Sequence, residues 1–223
     1  MTTIIAEIGN THEGSVGLAK QFIRAAADCG VDAVKFQTHI FEAESLPSAP
    51  NPPYFTDESR KEYFERTAFS IDQYKTLKKY AEQDCGLEFI SSPFSIEAVD
   101  LLVELDVKTL KIPSGEVNNT PMLHHIVKVT DARIILSSGM SSWAELDEAV
   151  KIINGNNDLI ILQCTSEYPC LPENSGLNLI IEGFLKHMFF QRSKEKNGLR
   201  SIWVRSLKSH QKLIYTVIYI SFH

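Results

Sequence analysis

Two lysines inside predicted β-strands are the residues that most suggest chemistry. Lys35 lies in the segment VKFQ and Lys111 in LKIPS, where apolar residues flank both of them. An ammonium group on a buried strand costs free energy unless it pairs with a carboxylate or binds an anion. Glu7 or Glu116 could supply the carboxylate, or each lysine could extend to the rim of the fold. The two lysines therefore predict either ion pairs or an anion-binding site.

Polar side chains also end every predicted strand. They are Glu7; Lys35 and Gln37; Ser91 and Ser92; Lys111 and Ser114; Ser137 and Ser138; and Gln163, Thr165 and Ser166. Two ammonium groups, several hydroxyls and backbone N–H groups suit a small ligand that carries a phosphate and a carboxylate. Glu7 and Glu116 would then act as acid, base or hydroxyl-binding groups. The pattern predicts an enzyme that acts on a small phosphorylated acid.

A lysine at a strand end also supports a different reaction. A lysine amine can attack a carbonyl carbon and form a Schiff base, as in class I aldolases and lyases. Lys111 would be the nucleophile in this sequence. Borohydride trapping of a covalent adduct would separate this reaction from simple anion binding, and the residues alone leave both open.

Strands and helices alternate from the start of the chain. Apolar patterning predicts strands at 3–8, 31–38, 87–92, 107–114, 133–139 and 159–166, and helices at 15–30, 71–85, 95–106, 120–130 and 141–154. Gly30 marks a helix end, Ser70 an N-cap and Pro121 a first helical position. The stretch before residue 70 contains Pro47, Pro50, Pro52 and Pro53 and is too long for an ordinary βα connection, which predicts a functional loop.

Repeated βα units predict parallel strands joined by right-handed crossovers. Two architectures share this pattern, an open doubly wound sheet and a (β/α)₈ TIM-type barrel. The doubly wound sheet needs a glycine-rich phosphate turn, and GNTHEG at 9–14 has the wrong spacing for one. A barrel places polar chemistry at the carboxyl ends of many strands. Because all six predicted strands end this way, the sequence favours the α/β barrel.

The composition describes two unlike parts of one chain. The 223 residues carry 22 basic and 28 acidic side chains, a net charge of −6, and 43% are apolar, which is enough for a substantial core. Residues 183–223 hold eight bases and one acid, whereas residues 1–182 hold 14 bases and 27 acids. The sequence thus predicts an acidic enzyme domain at 1–182 and a divergent basic tail at 183–223.

Localisation and partners are inferred from the signals that the sequence lacks. No apolar run reaches the roughly 18 residues that cross a bilayer, and MTTIIAEIGN does not resemble a secretory signal. The four cysteines have no CxxC spacing, which favours reduced thiols over a disulfide frame or a zinc site. We therefore expect a cytoplasmic protein without a membrane partner. The acidic body argues against a nucleic-acid partner.

Six motifs occur in order along the chain. They are IIAEIGNTHEG (4–14), DAVKFQTH (32–39), ISSPFS (90–95), LKIPSGE (110–116), ILSSGM (135–140) and LQCTSEYP (162–169). Together they closely resemble the sialic acid synthase family, which includes N-acetylneuraminate synthase and its legionaminate, pseudaminate and spore-coat polysaccharide relatives. The resemblance implies a (β/α)₈ barrel followed by a small antifreeze-like domain, in a homodimer. It also implies a carbon–carbon bond-forming transferase that condenses phosphoenolpyruvate with an N-acetylated amino sugar such as N-acetylmannosamine.

The resemblance implies roles for individual residues. Phosphoenolpyruvate would be held by Lys35, Ser92, Lys111, Ser114, Ser137 and Ser166. Glu7 would be catalytic, beside the metal and the reacting aldehyde, while Glu116 and Tyr168 would bind the sugar; Ser138 could replace Ser137. A divalent cation, Mn²⁺ or Mg²⁺, would polarise the aldehyde. C3 of phosphoenolpyruvate would attack it, water would add at C2, and phosphate would leave by C–O cleavage.

The resemblance stops near residue 180. The family continues to a strand with a Ser-Asp-His motif and to another strand with a second metal-binding His, and neither motif follows in this sequence. The sequence therefore predicts an incomplete barrel of six clear strands, without the metal ligands and without the antifreeze-like domain. The basic tail is interpreted as an out-of-frame or degraded end, or as a divergent replacement for two strands. An inactive remnant that binds phosphoenolpyruvate without turnover is the alternative to a working synthase.

Overall fold

Six parallel strands form the centre of the computed structural model, which describes residues 3–46, 48–51, 57–167, 170–176 and 178–180. The strands are β1 (Ile5–Gly9), β2 (Ala33–Thr38), β3 (Glu88–Pro93), β4 (Thr109–Ile112), β5 (Arg133–Ser137) and β6 (Leu159–Leu162). Each strand pairs in parallel with the next one along the chain, in the order β1-β2-β3-β4-β5-β6. All six predicted strands are confirmed, although β4 and β6 are shorter than predicted.

The strand order decides between the two architectures. A doubly wound sheet has a point where the strand order reverses, whereas a barrel wall adds each new strand on the same side. The described strands show no reversal. They form an arc of a (β/α) barrel wall, and the doubly wound alternative is wrong.

Helices cover the outer face of this arc, namely α1 (Val16–Asp28), α4 (Ile71–Lys79), α5 (Ile96–Glu104), α6 (Thr120–Val129) and α7 (Trp143–Ile153). Two short helices, α2 (Phe41–Glu44) and α3 (Arg60–Thr67), lie in the connection between β2 and α4. The five predicted helices are confirmed, and α4 continues into a π-helical turn at Tyr80–Asp84. Ser70 caps α4 as predicted, because its hydroxyl accepts the Gln73 N–H while the Gln73 side chain accepts the Ser70 N–H.

The proline-containing stretch differs from the prediction. It holds α2 and α3, where a functional loop was expected. α3 begins at a capping box in which Ser59 and Glu62 satisfy each other's backbone N–H groups. Its strongly charged sequence lacks the apolar periodicity that would have predicted a helix. Pro47, Pro52 and Pro53 lie outside the described residues.

Two apolar layers lie on opposite faces of the sheet. The outer layer joins strand residues such as Phe36, Phe89 and Leu136 to the helices. The inner layer is small and consists of Ile5, Ala33, Ile90, Ile135 and Leu162. Side chains two positions apart on a strand share a face. The residues that lie two positions beyond an inner-layer residue, nearer the carboxyl end of the strand, therefore also point into the arc.

Two further predictions concern membrane-spanning helices and the division of the chain into domains. In the described ranges, every helix is too short or too polar to traverse a bilayer. The domain boundary at 182/183 and the basic tail lie outside the described residues, so the predicted division into 1–182 and 183–223 stays a prediction.

Candidate active site

Five predicted site residues lie on the inner face of the arc, one on each of five strands. They are Glu7 on β1, Lys35 on β2, Ser92 on β3, Lys111 on β4 and Ser137 on β5. Four of them follow an inner-layer residue by two positions, which turns them to the same face. Parallel strands bring their carboxyl ends to one edge. The pleat of the sheet therefore collects these groups in one polar layer above the inner apolar layer.

Lys35 is the centre of this polar layer. Its Nζ lies 2.6 Å from Glu7 Oε2 and donates to Ser92 Oγ at 3.1 Å, and the residue is only 3% exposed. Glu7 and Lys35 are register partners, so the sheet itself positions the ion pair. Ser91 faces the other way and bonds Thr38 Oγ1 at 2.8 Å. Of the alternatives left open for Lys35, the structure shows the ion pair with Glu7, whose charges compensate each other.

Lys111 is the second cation of the layer. Burial, and after it the like charge of Lys35, lower the pKa of Lys111 from 10.5 to about 8, although Cys164 and Glu7 offset part of the shift. Burial and the neighbouring ammonium of Lys35 therefore both disfavour the charged form of Lys111. An anion placed against Lys111 would favour the charged form.

Ser137 and Ser138 have different environments. Ser138 Oγ donates to Gln163 Oε1 at 3.1 Å and accepts the Cys164 N–H at 3.2 Å. Ser137 Oγ is fully buried and has no hydrogen-bond partner among the described residues. A buried hydroxyl without a partner is unusual in a folded protein and indicates a group that a ligand can satisfy. Of the two serines, Ser137 is the one that offers an unused hydroxyl to the site.

Two further serines meet at Gly139, in the loop after β5. A Cβ at Gly139 would lie 2.7 Å from Ser114 Oγ, 2.9 Å from Ser166 Oγ and 3.2 Å from Cys164 Cβ. Contacts this short require a neighbour to move, so only glycine fits without displacing the hydroxyls. We call Gly139, Ser114 and Ser166 the Gly139 cradle. It brings the loops after β4 and β6 together beside the loop after β5.

Comparison with known proteins assigns the chain that carries this site to a family. The NeuB family model matches residues 22–189. This chain belongs to the NeuB family. It is 41% identical over 179 residues to the N,N'-diacetyllegionaminic acid synthase of Campylobacter jejuni, a match that covers 75% of this chain and 52% of that protein. It is 40% identical over 184 residues to the N-acetylneuraminate-9-phosphate synthase of Mus musculus, covering 80% of this chain and 51% of that protein.

A solved structure supports the same assignment. The N-acetylneuraminic acid (sialic acid) synthetase of Leptospira borgpetersenii, crystallised in complex with citrate, superposes with a TM-score of 0.70 at 29% identity. The match covers 83% of this chain and 61% of that one. The NeuB-family resemblance and the barrel fold predicted from the sequence are therefore confirmed. The chain spans about half the length of the curated relatives it matches.

The predicted sugar-binding residues of this NeuB-family chain lie partly outside the described ranges. Glu116 follows β4 in a 3₁₀ turn, Ser114–Glu116, and its Oε2 accepts a hydrogen bond from Asn119 Nδ2 at 2.8 Å. Burial raises the pKa of Glu116, and the charge of Glu44 raises it further. Tyr168 lies outside the described residues. Its role and that of Glu116 stay predictions.

His12 belongs to the packing of the loop after β1. It is 1% exposed, its ring stacks on Phe69 at 4.3 Å between centroids, and Nδ1 accepts the Gly14 N–H at 3.1 Å. Burial lowers the pKa of His12 to about 4, so the ring is neutral near pH 7. This environment indicates a structural imidazole.

The described part of the chain offers no ligand set for a divalent cation. There, no three His, Cys, Asp or Glu side chains lie together as metal ligands. Glu7 is the carboxylate in the polar layer, and it is held by Lys35. A single paired carboxylate is a poor site for Mg²⁺ or Mn²⁺, which need several oxygen or nitrogen ligands. The residues described here do not fit the cation that the resemblance implies.

Sequence reasoning missed three contributors to the site. Gly139 was one residue of a motif, and nothing in its neighbours shows that it must lack a side chain. Cys164 faces inward with Leu162 and raises the pKa of Lys111. Its position two residues beyond the apolar Leu162 could have indicated that it faces inward. Glu44 reaches the site region through α2, a helix too short to leave a periodic signal.

Proposed function

We propose that the chain carries the phosphoenolpyruvate half of the active site of a sialic-acid-type synthase. In the proposed reaction, C3 of phosphoenolpyruvate bonds to the aldehyde carbon of an open-chain N-acetylated amino sugar, such as N-acetylmannosamine. Water adds at C2 and phosphate leaves, giving a nonulosonate. The observation that carries the proposal is a second buried ammonium, Lys111, whose pKa is lowered by burial and by Lys35, beside the Lys35–Glu7 ion pair and a set of inward-facing hydroxyls.

The polar layer, with two ammonium groups against one carboxylate, suits a small anion. Phosphoenolpyruvate would bring negative charge to Lys111, which favours its charged form and relieves the cost of burial. Lys35 would contribute further ammonium donors, and Ser137 an unused hydroxyl. The Gly139 cradle adds two hydroxyls at one edge of the layer. Charge-assisted hydrogen bonds of this kind are shorter and stronger than neutral ones.

Glu7 would serve the other half of the reaction. Oε2 is held by Lys35, and Oε1 is buried with no hydrogen-bond partner among the described residues. We expect this second oxygen to accept a hydrogen bond from the reacting sugar or from the attacking water. A divalent cation would supply polarisation of the aldehyde. It stays a prediction, because the described residues do not fit it.

Titration calorimetry with phosphoenolpyruvate tests the binding step. We expect saturable binding by the wild-type chain, and its loss in Lys111→Met. Lys108→Met is the matched control, because Lys108 is exposed at the opposite end of the same strand and pairs with Asp106. Absence of binding by the wild-type chain would refute the proposal.

A phosphate-release assay with N-acetylmannosamine and Mn²⁺ tests turnover. Release above the rate without sugar would support a working synthase. Binding of phosphoenolpyruvate without release would support the remnant instead, in which this chain retains only the binding half. The choice of amino sugar would follow from repeating the assay with other N-acetylated hexoses.

The lowered pKa of Lys111 favours a second candidate, a Schiff-base aldolase or lyase. An amine with a pKa near 8 has an appreciable neutral fraction at pH 7, and the neutral amine is the nucleophile. Treatment with pyruvate and borohydride, followed by peptide mass spectrometry, tests it. An adduct on Lys111 would support the aldolase, whereas an unmodified Lys111 in a chain that binds phosphoenolpyruvate would leave anion binding as its role.

A further inference from the structure

Glu44, His39 and Gln37 form a connected series of polar side chains beside the residues that we propose to bind phosphoenolpyruvate. We call this series the His39 relay. The Nδ1 atom of His39 lies 2.9 and 3.0 Å from the two carboxylate oxygens of Glu44, and Nε2 lies 3.2 Å from Gln37 Oε1. The His39 and Glu44 side chains are only 8% and 6% exposed. Both ring nitrogens therefore face oxygen acceptors away from solvent.

Aromatic rings hold the imidazole of the relay in one plane. The His39 ring stacks on Phe94 at 4.0 Å between centroids and contacts Phe64 at 4.2 Å. Phe94 follows β3 and Phe64 lies on α3, so rings from two other parts of the chain hold the imidazole. With the plane fixed, the directions of Nδ1 and Nε2 are fixed as well. Donation from Nδ1 to Glu44 and from Nε2 to Gln37 Oε1 at the same time requires a proton on each nitrogen, which is the imidazolium form paired with the Glu44 carboxylate.

The relay determines which end of the Gln37 amide faces the site. Gln37 lies two residues after Lys35 on β2, on the inner face of the arc. Because Oε1 is directed to His39, the amide nitrogen is directed away from it. A Cβ at Gly9 would lie 3.7 Å from Gln37 Nε2 and 3.4 Å from Glu7 Oε1. The space beside Gly9 is thus bordered by an N–H donor and a carboxylate acceptor.

A donor beside an acceptor matches the chemistry of a hydroxyl group. A hydroxyl donates one hydrogen bond and accepts others, so it can bridge Gln37 Nε2 and Glu7 Oε1. If the amide were reversed, Gln37 Oε1 would face the Glu7 carboxylate, and a bridging hydroxyl could not satisfy two acceptors with one hydrogen. Recognition of a hydroxyl at this point therefore depends on the orientation of the amide.

We propose that His39 and Glu44 are positioning residues, which aim the Gln37 N–H groups at a hydroxyl of the acceptor substrate bound between Gln37 and Glu7. This inference rests on the proposed function, because the hydroxyl would belong to the amino sugar. His39 and Glu44 act through Gln37 in this account and do not touch the substrate. Their loss should affect the sugar and leave phosphoenolpyruvate unaffected.

The variant His39→Phe tests the relay, because phenylalanine keeps the aromatic stack and removes both donors. Glu42→Gln is the matched control. Glu42 lies on α2 together with Glu44, but its side chain is exposed and pairs with Lys61. In amide nitrogen NMR spectra we expect the Gln37 side-chain signals of the wild type to be shifted and slow to exchange. In His39→Phe they should move to the position of a solvent-exposed glutamine.

Calorimetry supplies the second readout. For the chain saturated with phosphoenolpyruvate, His39→Phe should weaken binding of N-acetylmannosamine about tenfold, the effect of one misdirected hydrogen bond. Affinity for phosphoenolpyruvate should stay within about twofold of the wild type and of Glu42→Gln. Unchanged Gln37 signals, or a parallel loss of affinity for both ligands, would overturn the relay in favour of a packing role. If the wild type binds neither ligand, the proposed function fails, and the Gln37 signals still decide whether His39 orients the amide.

Discussion

Lys111 shows at the scale of one residue how a binding group can oppose the stability of the fold. Its ammonium is buried beside Lys35, and the two share one carboxylate in Glu7. A group whose pKa is lowered on folding binds fewer protons in the folded chain than in the unfolded one. Stability of the free protein is therefore reduced at every pH below the ordinary pKa of lysine, and the proposed anion site would account for keeping a lysine at this position.

Lys111→Met should stabilise the ligand-free protein while abolishing phosphoenolpyruvate binding. With a pKa of 10.5 unfolded and about 8 folded, the destabilising contribution is fully present below pH 8 and disappears as the pH rises towards 10.5. We expect the variant to gain about 1–3 kcal/mol in free energy of unfolding at pH 7, and less at pH 9.5. Urea denaturation at both pH values measures this, and an equal or lower stability of the variant at pH 7 would contradict it.

Residue types were predictable from the sequence, but their partners were only partly so. Lysine and serine are unusual in buried strands, so the residue types of Lys35, Lys111 and the strand-end serines are enough to indicate a site. The Lys35–Glu7 ion pair depends on strand register, and the lowered pKa of Lys111 depends on the burial and the Lys35 neighbour that the same register provides; the sequence leaves this register open. The difference between Ser137 and Ser138 likewise depends on which face of β5 is the inner one.

At the scale of elements, three loops meet because one of them lacks a side chain. Gly139 lies between β5 and α7, and the space its missing Cβ leaves is occupied by hydroxyls from the loops after β4 and β6. The strands fix the starting points of these loops, and the glycine allows them to approach. The geometry of the Gly139 cradle is therefore a property of the three loops together.

Gly139→Ala should weaken phosphoenolpyruvate binding by about tenfold, because the new methyl group would displace Ser114 Oγ and Ser166 Oγ from the cradle. Gly115→Ala is a matched control in the same region, since a Cβ at Gly115 meets no atom within 4 Å. Calorimetric titration of both variants measures the effect. Equal affinities of the two variants would show that the cradle does not contact the ligand.

Long periodic elements were predictable, and short ones were not. α1 and α7 show apolar residues at helical spacing, Ser70 has the capping hydroxyl of a helix start, and Gly30 adopts the positive φ that follows a helix end. α2 has four residues, too few for any period to be recognised. Since Glu44 lies on α2, the His39 relay was not predictable, even though His39 itself stood in a recognised motif.

At the scale of the whole molecule, the site is spread over the full width of the arc. The polar layer takes one residue from each strand from β1 to β5, and Ser166 follows β6. The outermost strands, β1 and β6, have one neighbour each among the described strands. A ligand that contacts residues from the whole arc would therefore connect strands that share no hydrogen bonds with each other.

Phosphoenolpyruvate should consequently stabilise the whole arc against unfolding. At a free concentration of about 100 times Kd, a ligand that binds only the folded chain adds about 2.7 kcal/mol to the free energy of unfolding. For a chain of this size that corresponds to a rise in Tm of roughly 5–10 °C. Differential scanning calorimetry with increasing phosphoenolpyruvate should show a Tm that climbs with the logarithm of ligand concentration.

Variants assign that stabilisation to the polar layer. The rise in Tm should be absent in Lys111→Met and unchanged in Lys108→Met, whose lysine lies at the other end of β4. Inorganic phosphate, which lacks the carboxylate, should give a smaller rise at the same concentration, because fewer of the hydroxyls and ammonium groups gain a partner. An equal rise in Lys111→Met would place the ligand elsewhere on the molecule and remove the observation on which the proposed function depends.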